Sequence, residues 1–377
     1  MALEELQVSH STRAEINLSA FRSNIDAVRA YVGPGVAIMA VVKANAYGHG
    51  AVRMAIEAVA HGVERLAVAR YHEGIELREG GVTAPILVFE KTEDAHLHTA
   101  LGYGLDLTVM DRRGLEALAS AARSSGTARV HVKVDTGMGR LGVADRQAAD
   151  FVELVARERG IELVGVYSHF ATSEESDRTF ADAQRTRFEA VLEELGRRSI
   201  DVQVRHMANS GAIISIPEAH FDMVRPGIML YGYPPGNGMP ERFPVKPVMS
   251  LRSRVSHLKY VDAGVSVSYA RRYFTSGRTA IATIPVGYAD GYFRPLTNRT
   301  SVLIRGRRYP VVGTICMDHI MADLGPVTDV EEGDTVTLIG TDGPESISGW
   351  DVGEILGTIP YEVTCAITPR VWRRYDG

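Results

Sequence analysis

The chain has two cysteines, Cys316 and Cys365, which excludes a disulfide framework and a zinc-type cysteine cluster. Long apolar runs are also missing. The longest are short pieces such as Ala37-Ile38-Met39-Ala40-Val41-Val42, far below the roughly 20 residues that span a bilayer. No dense lysine–arginine run occurs beyond short pairs such as Arg373-Arg374, and the formal net charge is −5. Neither nucleic acid nor an anionic membrane is therefore an expected partner. The opening residues, Met1-Ala2-Leu3-Glu4-Glu5-Leu6, lack the basic and apolar regions of a signal peptide. These absences lead us to expect a cytoplasmic protein with a small substrate.

What is present is enough apolar sequence for a large core. The 377 residues are 45% hydrophobic and 23% charged, which suits a soluble globular chain of two domains. The first two-thirds alternates short runs of Val, Ile, Leu and Ala with longer amphipathic stretches. The runs are Val36–Val42, Arg65–Ala69, Pro85–Phe89, Leu105–Met110, Arg129–Val134, Leu163–Tyr167, Val202–Ala208 and Phe221–Val224. Several are apolar throughout, as parallel strands covered on both faces must be. Between them, Arg146–Glu158 carries Ala148, Phe151, Val152, Leu154 and Val155 at helical spacing and ends near Gly160. Eight such units predict a (β/α)8 TIM barrel over residues 1–244; a doubly wound sheet is the alternative.

After about Pro244 helical periodicity fades, and turn signals recur every ten residues or so. Ser301–Ile304, Tyr309–Thr314, Ile320–Leu324 and Thr335–Ile339 read as strands between the turns Arg305-Gly306 and Glu332-Gly333-Asp334. Residues 245–377 are thus expected to form a mostly-β domain. Residues 1–18, through Arg13-Ala14-Glu15-Ile16-Asn17-Leu18, can add a strand to either domain.

In a parallel barrel, chemistry collects at the carboxyl ends of the strands. The predicted strands end at Lys43, Arg70, Glu90, Lys133 with Asp135 and Thr136, Ser168-His169, Asn209-Ser210 and Arg225-Pro226-Gly227, with Arg140 close behind the fifth. Taken together, this polar and basic crown exceeds what packing requires. Lys43 closes an apolar strand and opens Lys-Ala-Asn-Ala-Tyr-Gly-His-Gly, a loop of small residues that lets other groups approach. An apolar wall and nearby cations lower a lysine from about 10.4, so that its amine can attack an aldehyde. Loops after the seventh and eighth strands of barrels commonly bind phosphate, a role that Ser210-Gly211 and Pro226-Gly227-Ile228 fit. A phosphate there with an aldehyde at Lys43 describes pyridoxal phosphate better than a nucleotide.

One motif points elsewhere. Gly137-Met138-Gly139-Arg140-Leu141-Gly142 matches the G-x-G-x-x-G dinucleotide fingerprint, follows a predicted strand and precedes a helix. The next strand ends in Tyr167-Ser168-His169, without the acidic residue that grips a ribose. In the β domain, Val265-Ser-Val-Ser-Tyr269, Pro285-Val-Gly-Tyr-Ala-Asp-Gly-Tyr292 and Cys316-Met-Asp-His stand out. A tyrosine acting as base there needs neighbours that lower its pKa from about 10.

These segments together resemble bacterial alanine racemase, over almost the whole chain. The motifs are Val-Val-Lys43-Ala-Asn-Ala-Tyr47-Gly-His-Gly, Val-Lys133-Val-Asp-Thr-Gly-Met-Gly-Arg140-Leu-Gly, His169-Phe-Ala-Thr, Asn209-Ser210, Arg225-Pro-Gly227-Ile228, Ser-Tyr269-Ala, Gly-Tyr288-Ala-Asp-Gly, Cys316-Met317-Asp318 and Tyr361-Glu-Val. The resemblance implies a pyridoxal 5'-phosphate-dependent homodimer whose active sites use residues of both chains, and which supplies D-alanine for peptidoglycan. Lys43 would carry the cofactor and act as the base on the D-side, with Tyr269 of the partner as the base on the L-side. Arg225 would bond the pyridine nitrogen, with His169 linking it towards Tyr269. Arg140 and the backbone of Met317 would hold the substrate carboxylate. Tyr47, Ser210, Gly227, Ile228 and Tyr361 would hold the phosphate, beside Asn209. Lys133 matches a lysine that is often carbamylated and orients Arg140. No metal is implied. The sequence departs from the family pattern at Ala270, where glycine is usual, and at Ser168, where threonine is common. A decarboxylase of basic amino acids would need an acidic residue where Arg225 stands, and a non-catalytic cofactor carrier would lack the second domain.

Overall fold

The computed structural model describes residues 11–236 and 243–377. The opening residues read for a signal peptide lie outside the described residues. By contact the chain divides into two units. One takes Phe21–Ala46 with Gly50–Lys246; the other takes the chain up to Ala20, Tyr47–His49 and Pro247–Gly377.

The first unit is a closed barrel of eight parallel strands: Ala37–Val41, Arg65–Val68, Ile86–Val88, Asp106–Val109, Ala128–Asp135, Ile161–Tyr167, Val204–His206 and Met223–Val224. Each pairs with the next, and Met223–Val224 pairs with Ala37–Val41 to complete the ring. All eight expected strands are present, with ends shifted by at most two residues. Helices cover the outside because the connections are amphipathic. In Arg112–Ser125, Leu115, Leu118, Ala119 and Ala122 are buried on one stripe. Asp111 caps its start by accepting from Gly114 N at 2.7 Å, a contact of about 1 kcal/mol. Gly126, at φ 94°, ends the helix in a conformation that a side chain would disfavour. The stretch predicted at Arg146–Glu158 forms the helix Asp145–Arg157.

The second unit is sheet-rich. Its larger sheet runs in the order Arg307–Pro310, Ser301–Ile304, Thr335–Asp342, Met249–Arg254, Arg13–Asn17 and Trp372–Asp376, with Glu345–Ile347 paired to Thr335–Asp342. Arg13–Asn17 lies antiparallel to Met249–Arg254 and parallel to Trp372–Asp376. A second sheet holds His257–Val261, Thr279–Ile284 and Ile320–Asp323. Arg305 and Gly306 turn the first hairpin with φ of 51° and 72°, as a two-residue connection of right-handed twist requires. The expected strand Tyr309–Thr314 stops early. Past Pro310 only Val311 bridges, to Ala322, before Gly313 turns at φ 74°. Two short helices, Gly349–Leu356 and Pro360–Cys365, interrupt the β pattern.

Tyr47–His49 belong by contact to this unit. Arg373 Nε donates to the Gly48 carbonyl at 3.1 Å, Tyr375 donates to the His49 carbonyl at 3.1 Å, and the rings of Tyr47 and Tyr361 lie 5.9 Å apart. Gly48 is required there, since a Cβ would stand 2.1 Å from the Thr364 carbonyl oxygen. Among the described residues no helix is long and apolar enough to cross a membrane.

Candidate active site

Lys43 follows the first barrel strand, half-buried, and the chain beyond it turns the unusual way. Ala44, Asn45, Ala46 and Tyr47 all have φ between 52° and 55°. For residues with a Cβ this left-handed turn costs about 1 kcal/mol each, so something must hold it. Ala46 N donates to the Val42 carbonyl at 2.9 Å, and Gly50 N to the Asn45 carbonyl at 2.9 Å. Asn45 Oδ1 accepts from Ala51 N at 2.8 Å. Glu73 reaches across from the second strand–helix unit: its carboxylate accepts from Ala44 N at 2.6 Å, Ala69 N at 2.8 Å and Arg70 N at 2.9 Å. Alanine and asparagine suit this turn because bulky or β-branched side chains clash in it.

Arg225 follows the eighth strand and is 3% exposed. Its Nη2 donates to the Ser168 carbonyl at 2.7 Å and the Met207 carbonyl at 3.0 Å, and lies 3.3 Å from His169 Nδ1. Its Nη1 lies 3.0 Å from His206 Nδ1. Burial pushes the guanidinium down to about 10, still a cation near neutrality. Four predicted cations converge on His169. Burial first, then the charges of Arg225, Lys133, Arg140 and Lys43, holds its imidazole well below the usual value. Lys133 is 6% exposed and donates to the Val134 carbonyl at 2.8 Å. Burial, with Arg225 and Arg140 against the pull of Asp135, brings its amine down to about 7.

The loops after strands seven and eight meet through their predicted anion-binding groups. Gly227 N donates to Ser210 Oγ at 2.9 Å, and Ile228 opens the 3-10 turn Ile228–Tyr231. Asn209 Oδ1 accepts from Ala212 N and from Ser173 Oγ, both at 2.9 Å. It caps the helix Ser210–Ser215 and so fixes where Ser210 points.

The glycine fingerprint loop is closed to a pyrophosphate. Asp135 occupies the amides that would cradle it, accepting from Gly137 N at 2.9 Å and Gly139 N at 3.1 Å. The helix that follows also begins only after a further strand, Val143–Ala144. The acidic residue that a decarboxylase reading needs is likewise absent from the described partners of Arg225.

Four predicted residues lie in the sheet-rich unit. Tyr47 is buried, which pushes its phenol above the ordinary value, with Tyr361 and Cys365 adding to the effect. Tyr269 is 69% and Met317 51% exposed. Tyr269 borders an open cleft of about 350 Å³ with Val265, Ser268 and Cys316. Its carbonyl accepts from Thr314 Oγ1 at 2.7 Å, and both neighbours, Ser268 at φ 67° and Ala270 at φ 59°, are left-handed. Glycine at position 270 would adopt that conformation freely. The Met317 carbonyl accepts from Ala289 N at 3.1 Å, and it comes so near Gly287 that a Cβ there would stand 2.1 Å away.

Sequence reasoning missed the polar interior of the barrel. His131, Tyr167, His206 and Asp106 are all buried inside it. His131 lies two residues before Lys133 in one strand and therefore on the same face. That spacing was the available signal.

Comparison with known proteins agrees over nearly the full length. Residues 16–235 match the family "Alanine racemase, N-terminal domain" and residues 248–375 match "Alanine racemase, C-terminal domain". The alanine racemase of Halothermothrix orenii is 42% identical over 370 residues, 98% of each chain. That of Desulfovibrio desulfuricans is 43% identical over 363 residues, 96% of this chain and 97% of its own. Among solved structures, the alanine racemase of Clostridium difficile 630 superposes with a TM-score of 0.94 at 36% identity, covering 98% of this chain and 96% of that one. The Bacillus anthracis enzyme with bound L-Ala-P gives 0.92 at 36% identity, covering 98% and 95%. The chain belongs to the alanine racemase family and is an isomerase, an amino-acid racemase.

Proposed function

We propose that this racemase interconverts L- and D-alanine by a two-base mechanism with pyridoxal 5'-phosphate as cofactor. The observation that carries the reading is Arg225: a buried cation, held by carbonyls and imidazoles, at the mouth of a barrel whose first strand leads to Lys43. The donor set fits the cofactor. Ser210 Oγ and the backbone of Gly227 and Ile228 offer short, neutral groups to a phosphate. The resemblance assigns the phosphate two further holders, Tyr47, which burial keeps protonated, and Tyr361 beside it. Asn209 acts by fixing Ser210. When bound, pyridoxal phosphate supplies an electron sink that acidifies the substrate's α-carbon.

The chain's own groups set the outcome. Inversion needs a proton removed from one face and delivered to the other, so one base cannot suffice. Lys43 serves the D-face and Tyr269 the L-face. A permanent cation at Arg225 would disfavour protonation of a pyridine nitrogen placed against it and so temper the sink. Arg140 and the Met317 backbone hold the substrate carboxylate. Bound L-Ala-P in the Bacillus anthracis relative supports an alanine-shaped substrate. The exposure of Tyr269 and Met317 supports a homodimer in which each is lent to the partner's site. Lys133, with an amine at about 7, has the uncharged nucleophile that carbamylation by carbon dioxide requires, and the carbamate would lie between two arginine charges. A cytoplasmic location and supply of D-alanine to peptidoglycan complete the reading and follow from the resemblance. Incubation of L-alanine with the holoenzyme in D2O should give D-alanine with deuterium at Cα; exchange without inversion would refute the two-base assignment.

A further inference from the structure

Arg225 heads a file of polar side chains that runs down the barrel interior. Its Nη1 is 3.0 Å from His206 Nδ1, and His206 Nε2 is 3.0 Å from His131 Nδ1. His131 Nε2 stands 3.7 Å from the Asp106 carboxylate. The two histidines are 0% exposed and Asp106 is 1% exposed.

The protons of this file are fixed by elimination. A guanidinium only donates, so His206 accepts at Nδ1 and carries its proton on Nε2. That proton faces His131 Nδ1, which must accept in turn and leave its own proton on Nε2, facing Asp106. The file therefore has one direction, from the cation towards a carboxylate that His131 Nε2 faces across 3.7 Å without a hydrogen bond.

Local structure is built around it. Gly165 leaves the room, since a Cβ there would lie 2.4 Å from His131 Nδ1. The ladder against Ile161–Tyr167 shifts register between Val130 and His131, the kind of irregularity that re-aims a side chain. Tyr167 stacks on His206 with centroids 4.8 Å apart and planes 5° from parallel. Arg65 Nη1 at 3.1 Å and Arg129 Nε at 2.8 Å clamp Asp106. Burial, together with Arg225 and Lys133 near His206, and Arg65 and Arg129 near His131, keeps both rings neutral against the pull of Asp106 on His131.

None of the described partners of Arg225 is a carboxylate. We propose that Asp106 is the remote counter-charge and a positioning residue for Arg225, acting through His131 and His206 to fix the guanidinium beside His169. Its catalytic weight rests on the reading of Arg225 as the partner of the pyridine nitrogen; the proton order does not.

Histidine-labelled holoenzyme tests the order by 15N NMR near neutral pH. Both rings should be neutral with the proton on Nε2. A ring protonated on Nδ1, or on both nitrogens, overturns the proposal. Asp106→Asn should then release a second tautomer at both rings and shift the absorbance maximum of bound pyridoxal phosphate. It should also weaken that binding severalfold, since Asp106 acts on His131 through charge across 3.7 Å and not through a hydrogen bond. His131→Phe leaves the Arg65 and Arg129 pairs of Asp106 in place and should shift the absorbance likewise, so the test survives misfolding of the first variant. Unchanged absorbance and affinity in a folded variant would overturn the proposal. Failure of pyridoxal phosphate to bind the wild-type chain would count against the cofactor reading and leave the proton order standing.

Discussion

Arg225 Nη2 donates towards His169 Nδ1 across 3.3 Å, so a permanent cation faces an imidazole that must stay neutral to accept. His131 and His206 are held neutral as well. A group whose folded pKa lies below its unfolded value resists the proton that the unfolded chain takes up. Stability should therefore be lost as pH falls through 6.5, the ordinary histidine value. Each neutral histidine adds about 1.4 kcal/mol per pH unit below it. Urea unfolding at a series of pH values should show the loss, and the His169→Gln variant should show a shallower slope.

Lys133 follows the same rule at higher pH. Its amine is brought down to about 7 from 10.5, so the folded chain sheds the proton before the unfolded one does. Stability should rise with pH between those two values. In carbon dioxide-free buffer, Lys133→Met should be more stable than wild type at the acid end by about 1 kcal/mol or more, and the gap should close as pH rises. Adding bicarbonate to the wild type should increase the intact mass by one carbamate; an unchanged mass under native conditions would remove the modification from the account.

Ala270, at φ 59°, stands in the left-handed turn beside Tyr269. Ala270→Gly should raise stability by about 0.5–1 kcal/mol, the relief of a Cβ in that conformation offset by a looser unfolded chain. Thermal unfolding of the holoenzyme measures it. Gly287→Ala should act in reverse, because its Cβ would strike the Met317 carbonyl. A rise in KM for alanine is expected if the Met317 backbone holds the substrate carboxylate.

The barrel was legible because several of its strands are apolar throughout, and the strand ends named Lys43, Lys133, His169 and Arg225. The file below Arg225 was not. His131 and His206 sit inside runs that read only as strands, and the closed ring is what brings four different strands to one axis. Nor could local pattern show that Tyr47–His49 leave the barrel unit for Tyr361, Arg373 and Tyr375, all more than 300 positions away. The glycine fingerprint, already discounted for want of an acidic residue after the next strand, also fails for a physical reason: Asp135, two residues before Gly137, occupies the loop amides itself.

Tyr269 is exposed on the sheet-rich unit, which suits a residue used by another copy of the chain. Mixing inactive Lys43→Ala and Tyr269→Ala chains should restore part of the racemase activity, because one site of the heterodimer keeps both bases. Absence of rescue in a proven heterodimer would show that sites are not shared.

Lys43 is expected to be the covalent anchor of the cofactor. Borohydride reduction of the pyridoxal phosphate-loaded protein, followed by peptide mapping, should place the fixed cofactor on Lys43 in the Val42–Tyr47 segment. Its recovery on Lys133 or any other lysine would contradict the account.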